Sequence, residues 1–230
     1  MKATEHVLPQ YKAPDWASSR SESVVLWHGT TSVAREGIER RIDLTKCAVD
    51  TDFGRGFYLT TLERQARFWA WGQYARWSKQ NQPAGGVRPI ILRFRVRRFA
   101  AGARPSRPAF RGLDQLTALT FVRGGFESDD YWSLVQHCRS SDPADPRTGH
   151  RAVVRDHRRG AKGRGWYDVA SGPVAAFWEQ RVVMQDSDQF SFHTPAAVAI
   201  LQDLIALARE TDTRNRDDAP YNWFAVPETP

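Results

Sequence analysis

Cysteine is scarce in this chain. Cys47 and Cys138 are the only two, and they stand far apart. Such a pair makes neither a disulfide framework nor a metal knuckle, and it fits a reducing compartment. The scattered His137, Cys138, His150 and His157 lack the spacing of metal ligands, so no metal is expected. Long apolar runs are missing too. No stretch approaches the ~20 apolar residues of a membrane span, and residues 1–10 hold no apolar core of signal-peptide length. The expectation is a cytoplasmic protein with no membrane partner, or one delivered to a target-cell cytoplasm without a cleavable signal peptide. No Walker loop occurs, and no G-x-G-x-x-G joins a strand to a helix, which excludes the two common phosphate-binding fingerprints. Internal repeats are absent as well.

What remains is ample for one core. The 230 residues are 41% hydrophobic and 12% aromatic, with nine tryptophans, and one domain is expected. Lysine is sparse, so arginine carries most of the net charge of +7. Arginine favours planar phosphate and carboxylate partners, which admits nucleic acid, a dinucleotide or an acidic protein. From charge alone, a basic surface with no specific partner is the first reading.

Residues 1–22 are polar, with Pro9 and Pro14, and read as an N-terminal arm. The run 23–28 is a short apolar strand, followed by helical spacing over 30–40. Residues 41–56 form a loop ending in Asp52-Phe53-Gly54-Arg55-Gly56, whose glycines permit positive φ. Thr61 is a good N-cap for a helix over 62–80, which Pro83, Gly85 and Gly86 end. Residues 90–98 alternate, Leu92, Phe94 and Val96 one way and Arg93, Arg95 and Arg97 the other, as in a half-buried strand. Helices are expected over 113–122 and 130–138, and a basic exposed loop over 140–165, with Arg147, Arg151, Arg155, Arg158, Arg159, Lys162 and Arg164. A strand and turn over 166–173 and a strand over 189–193 precede a helix over 195–209, with Thr194 as N-cap and Pro195 at its first position. Residues 211–230 read as a polar tail. The domain is therefore placed at 23–210, and its irregular mixing of elements suggests α+β.

Two segments concentrate the chemistry. Leu26-Trp27-His28-Gly29-Thr30 ends an apolar strand in a glycine, which lets a ligand approach the backbone, while the His28 imidazole can bond a ribose hydroxyl. A histidine bonded to core backbone is the alternative. In Gly56-Phe57-Tyr58-Leu59-Thr60, strand alternation sends Phe57 to the core and leaves the Tyr58 ring for a flat, electron-poor ligand; an ordinary core tyrosine is the alternative.

These segments, with Gln65-Ala66-x-x-Trp69-Ala70 and the later Tyr167-Asp168-Val169-x-x-Gly172-Pro173 and Asp188-Gln189-Phe190-Ser191-Phe192-His193-Thr194, resemble bacterial ADP-ribosyltransferase-like domains of the diphtheria-toxin/poly(ADP-ribose) polymerase branch. The likeness spans roughly residues 24–207. It implies a single-domain α+β fold, a split β half-barrel around an NAD+ cleft with flanking helices. It also implies that His28 contacts the adenosine-side ribose, that Gly29 holds the nicotinamide carboxamide, and that Tyr58 stacks on the nicotinamide. Thr30, Gly56, Phe57 and Thr60 complete the implied NAD+ site. The family's third position is glutamate, a fixed negative group beside the developing positive charge. Here Gln189 stands in its place. Either Gln189 suffices, or Glu179, Asp168 or Asp188 takes the role, or NAD+ binds without turnover.

The resemblance thus implies a mono-ADP-ribosyltransferase of toxin, effector or defence type. Its acceptor would be a protein, RNA or DNA, and an inhibitory antitoxin or immunity protein would restrain it. A non-catalytic NAD+ or ADP-ribose binding module and a basic nucleic-acid-binding protein are the alternatives.

Overall fold

The computed structural model describes residues 2–8, 23–81, 86–98, 112–123, 128–140, 151–161, 166–184, 186–202 and 205–210. Ten strands and five helices lie among them: β1 Lys2–Leu8, β2 Ser23–Thr31, α1 Ser32–Arg40, β3 Phe57–Leu59, α2 Glu63–Gln80, β4 Pro89–Arg97, β5 Thr117–Arg123, α3 Ser128–Arg139, α4 Ala152–Ala161, β6 Val169–Gly172, β7 Ala175–Phe177, β8 Val182–Val183, β9 Gln189–Phe192, α5 Pro195–Gln202 and β10 Ile205–Glu210. The fold is α+β, and no sheet among the described residues closes on itself. A five-stranded mixed sheet has the order β1-β5-β6-β9-β3, and a three-stranded antiparallel sheet the order β10-β4-β2. They meet where Trp27 N–H donates to the Thr60 carbonyl at 2.7 Å and Thr60 N–H returns a bond to the Trp27 carbonyl at 2.9 Å.

Period-two patterning sets the faces. Phe57 and Leu59 of β3 and Phe190 and Phe192 of β9 join Leu26, Leu92, Phe94 and Val96 in the largest apolar cluster. The intervening Tyr58, Gln189 and Ser191 therefore share the opposite face. Register places Tyr58 opposite Ser191, which makes Gln189 its diagonal neighbour. A second cluster, with Phe53, Phe121, Tyr131 and Val154, packs α3 and α4 against β5 and β6. Helix α2 lies on β2 and β4 through Ala66, Ala70 and Ile91.

Several sequence expectations are corrected. The N-terminal arm contains β1, paired in parallel with the edge of β5, whose main-chain groups would otherwise lack a ladder partner. Residues 113–122 are a single 3₁₀ turn and strand β5 rather than a helix. Leu119 and Phe121 are fully buried, and a strand between two neighbours in a covered sheet shows no clean alternation for sequence to reveal. The helix after Pro195 stops at Gln202, and β10 pairs antiparallel with the free edge of β4. The basic loop 140–165 contains α4, whose Val153 and Val154 are buried while Arg155 and Arg159 stay exposed. Its arginines had masked a short amphipathic stripe. Helix α2 begins at Glu63 with no side-chain cap from Thr61, because that hydroxyl donates to the buried Asp188 carboxylate instead. The stretches 141–150 and 162–165, with Arg147, His150, Lys162 and Arg164, and the tail 211–230 lie outside the described residues. No helix among the described residues is long and apolar enough to cross a membrane.

Candidate functional site

A cleft of about 750 Å³ opens where β2, β3 and β9 converge, and His28, Tyr58 and Gln189 all line it. This size lies within the range of small-molecule sites. Gly29, Gly56, Phe57 and Thr60 line it as well. Thr30 is not among the lining residues; it is buried in the ladder opposite Ile90.

His28 is fixed by its neighbours. Its Nδ1 lies 2.7 Å from the Tyr58 carbonyl oxygen, a pure acceptor, so Nδ1 carries the proton and Nε2 is the acceptor nitrogen. The ring stacks on Phe57 with centroids 4.3 Å apart. Burial pushes the imidazole down to about 4, against the opposing effect of the Tyr58 bond, so it is neutral at pH 7. The alternative of a histidine bonded to backbone is what the Nδ1 contact shows, and the residue also lines the cleft.

Tyr58 is half-buried and also does double duty. Its hydroxyl accepts from Phe53 N–H and donates to the Gly54 carbonyl, both at 2.9 Å, which closes the glycine turn. Burial raises the phenol above its ordinary value, so it stays a donor. Gly54 is there for its φ of +77°, which side chains with a Cβ rarely adopt. Gly29 is there for space. A Cβ on it would stand 1.9 Å from the Ala66 carbonyl oxygen of α2. The Gln65-Ala66-x-x-Trp69-Ala70 segment thus reads structurally: Ala66 and Ala70 admit β2, and Gln65 clamps the Asp188 backbone, donating at 2.7 Å and accepting at 3.2 Å. Trp69 lines the cleft.

None of the three alternative acids lines the cleft. Glu179 is exposed in a 3₁₀ turn. Asp168 accepts from Thr117 N–H at 2.9 Å and from Thr194, tying β5 to the start of α5. Asp188 accepts from the Thr60 hydroxyl at 2.6 Å and from Thr61 N–H at 2.9 Å. The acids that do line the cleft are Asp43, Asp50 and Asp52; of these only Asp52 is buried, and Arg139 lines the cleft beside it. Asp52 lay in plain view within the glycine-turn motif, but its burial was not legible. Arg139 carried no signal, since only the docking of α3 brings it there. The exposed Arg41, Lys46 and Arg76 add a basic rim.

Behind the Gly54 turn, residues scattered in sequence gather. Cys138 Sγ lies 3.6 Å from His157 Nε2, and the His157 ring centroid is 5.5 Å from that of His137 and 4.9 Å from that of Trp166. His193 Nδ1 lies 2.8 Å from the Arg55 carbonyl, so it holds the turn besides preceding α5. No group of three or more such side chains among the described residues is arranged to hold a metal ion. Both cysteines are free thiols.

Burial holds His28, His157 and His193 each down to about 4, against 6.5 for an unperturbed imidazole. The unfolded chain therefore binds protons that the folded chain refuses. Stability is full above about pH 6.5 and falls as pH drops toward 4, by at most about 1.4 kcal/mol per pH unit for each group. Urea unfolding midpoints measured between pH 7 and 4.5 are expected to decline steadily, and a flat profile would contradict the burial of these rings.

No protein-family model, curated protein or solved structure matches this chain.

Proposed function

We propose that the chain is a mono-ADP-ribosyltransferase that binds NAD+ in this cleft and transfers ADP-ribose to a protein or nucleic-acid acceptor. The convergence of His28, Tyr58 and Gln189, far apart in sequence, on one cleft is the observation that carries this proposal. The two sheets joined at Trp27 and Thr60 are consistent with a split β half-barrel around that cleft. The substrate fits the groups present. His28 Nε2 is an acceptor for a ribose hydroxyl, the Tyr58 ring is a stacking face for nicotinamide, and Arg41, Lys46 and Arg76 suit the pyrophosphate. The resemblance assigned Gly29 to the carboxamide. Its lack of a side chain is explained by α2, and its pairing opposite Ile91 is a non-hydrogen-bonded one: Trp27, two residues before, turns its main-chain groups to Thr60 and not to β4, so the Gly29 N–H and carbonyl face that same side.

In the proposed reaction the glycosidic C–N bond of NAD+ breaks and its electron pair leaves with nicotinamide, which departs neutral. Positive charge develops on the ribose. A lone pair of the acceptor X–H forms the new bond to C1′, and its proton passes to solvent. The chain orients the ribose and excludes water from the cleft.

The test is nicotinamide release from NAD+ by the purified chain with cell extract. Tyr58→Ala is expected to lower release at least about tenfold, the value of one lost stacking contact. Nuclease or protease treatment of the extract identifies the acceptor class. NAD+ binding without release in any extract would favour a non-catalytic binding module, and neither binding nor release would refute the proposal.

A further inference from the structure

Gln189 is almost fully buried at the start of β9, and its amide has only one possible orientation. Its nitrogen lies 2.5 Å from Asp52 Oδ2 and 2.7 Å from the Pro173 carbonyl oxygen. Both are acceptors, so both amide hydrogens are consumed there. The oxygen Oε1 is what Gln189 has left to offer the cleft it lines. Asp52, 1% exposed, is equally determined. Oδ2 also accepts from Ala175 N–H at 2.8 Å, and Oδ1 lies 2.5 Å from Arg139 Nε in an ion pair. Burial pushes the Asp52 carboxyl up, while Arg139, the Ala175 N–H and the Gln189 amide favour its ionised form. The Ala175 N–H, the Gln189 amide and Arg139 all present donors to it, which a protonated carboxyl would oppose.

A glutamate at 189 would set a carboxylate oxygen against two acceptor oxygens at these distances. Like charges so close cannot both persist. The local structure therefore demands an amide at 189 because the carboxylate sits at 52.

We infer that Asp52 is the positioning residue of this site: it holds the Gln189 amide so that Oε1 is the cleft's acceptor for a sugar hydroxyl, and it supplies the fixed carboxylate one residue removed from the substrate. This rests on the transferase proposal and deepens it. Gln189 touches the ribose; Asp52 acts through it.

The experiment measures kcat and KM for nicotinamide release, with NAD+ and cell extract, for the full chain and three variants, after circular dichroism has established folding. Gln189→Glu is expected to lower kcat at least about tenfold with KM for NAD+ within about threefold, because the new charge meets Asp52. Asp52→Asn, which keeps an acceptor for the amide but removes the charge, is expected to lower kcat similarly with KM preserved. Combining Asp52→Asn with Gln189→Glu restores a donor between the two positions and is expected to recover at least about tenfold in kcat over Gln189→Glu alone. A merely structural pair would show rescue of the melting temperature without this recovery. Gln189→Glu exceeding the parent chain would overturn the inference. If Gln189→Glu does not fold, an unchanged kcat in Asp52→Asn overturns it by itself. No release by the parent chain would refute the transferase proposal first, a separate result from release that ignores position 52.

Discussion

Gly29→Ala is expected to destabilise the chain by about 3 kcal/mol, a large effect for one methyl group. The added Cβ would stand 1.9 Å from the Ala66 carbonyl oxygen, 2.7 Å from Ala70 N and 2.9 Å from the Ala66 carbonyl carbon. All three are main-chain atoms of a continuous helix, so no rotamer change relieves the clash. Strand β2 cannot retreat either, because Gly29 is held in register opposite Ile91 between His28–Leu92 and Thr30–Ile90. Helix α2 must lift, and Ala66 and Ala70, both essentially fully buried, then lose their contact with Ile91. A control lies in the same helix. Gly72 has nothing within 4 Å of a Cβ position, so Gly72→Ala is expected to stabilise by about 0.5–1 kcal/mol through helix propensity. Urea denaturation of both variants checks the pair. Equal small effects would show that α2 does not press on β2.

That contrast marks what the sequence could disclose. Glycine at 29 and alanine at 66 and 70 were visible as a motif, and the cleft they flank was legible from it. The physical cause was not. Sequence suggested ligand access to the Gly29 backbone, while contact between a helix and a strand explains the missing side chain. Local periodicity served well where one face was wet: the alternation of 90–98 became β4, with Phe94 and Val96 fully buried and Arg95 exposed. It failed at β5, covered on both sides, and at α4, where arginines outnumber the two valines that anchor the helix. Long-range partners were hidden altogether. Nothing near Asp52 announces Arg139 or Gln189, and nothing in the spacing of His137, His157 and His193 announces that they join, through Trp166, in one chain of ring contacts behind the glycine turn.

Asp188 separates scaffold from chemistry, and its substitutions are expected to divide accordingly. Its carboxylate is 5% exposed and accepts from the Thr60 hydroxyl, Thr61 N–H and the Thr61 hydroxyl. Those bonds tie the start of β9 to the junction of β3 with α2, which carries the Thr60 contact between the two sheets. Asp188→Ala leaves these donors unpaired in the interior, each costing about 1–3 kcal/mol, so a loss of about 3 kcal/mol or more is expected. The cleft would open with it, since Gln189 is the next residue and Gln65 grips the Asp188 backbone. Asp188→Asn keeps an oxygen for Thr60 and Thr61 N–H, and the Thr61 hydroxyl can turn to accept from the new amide. Its expected cost is about 1 kcal/mol, with nicotinamide release within about threefold of the parent chain. Were Asp188 the acid of the reaction, the same substitution would leave stability nearly intact and remove activity. Thermal melts and release assays on the two variants decide between these outcomes, because a carboxylate turned into the scaffold and one turned toward substrate respond oppositely to the loss of charge alone.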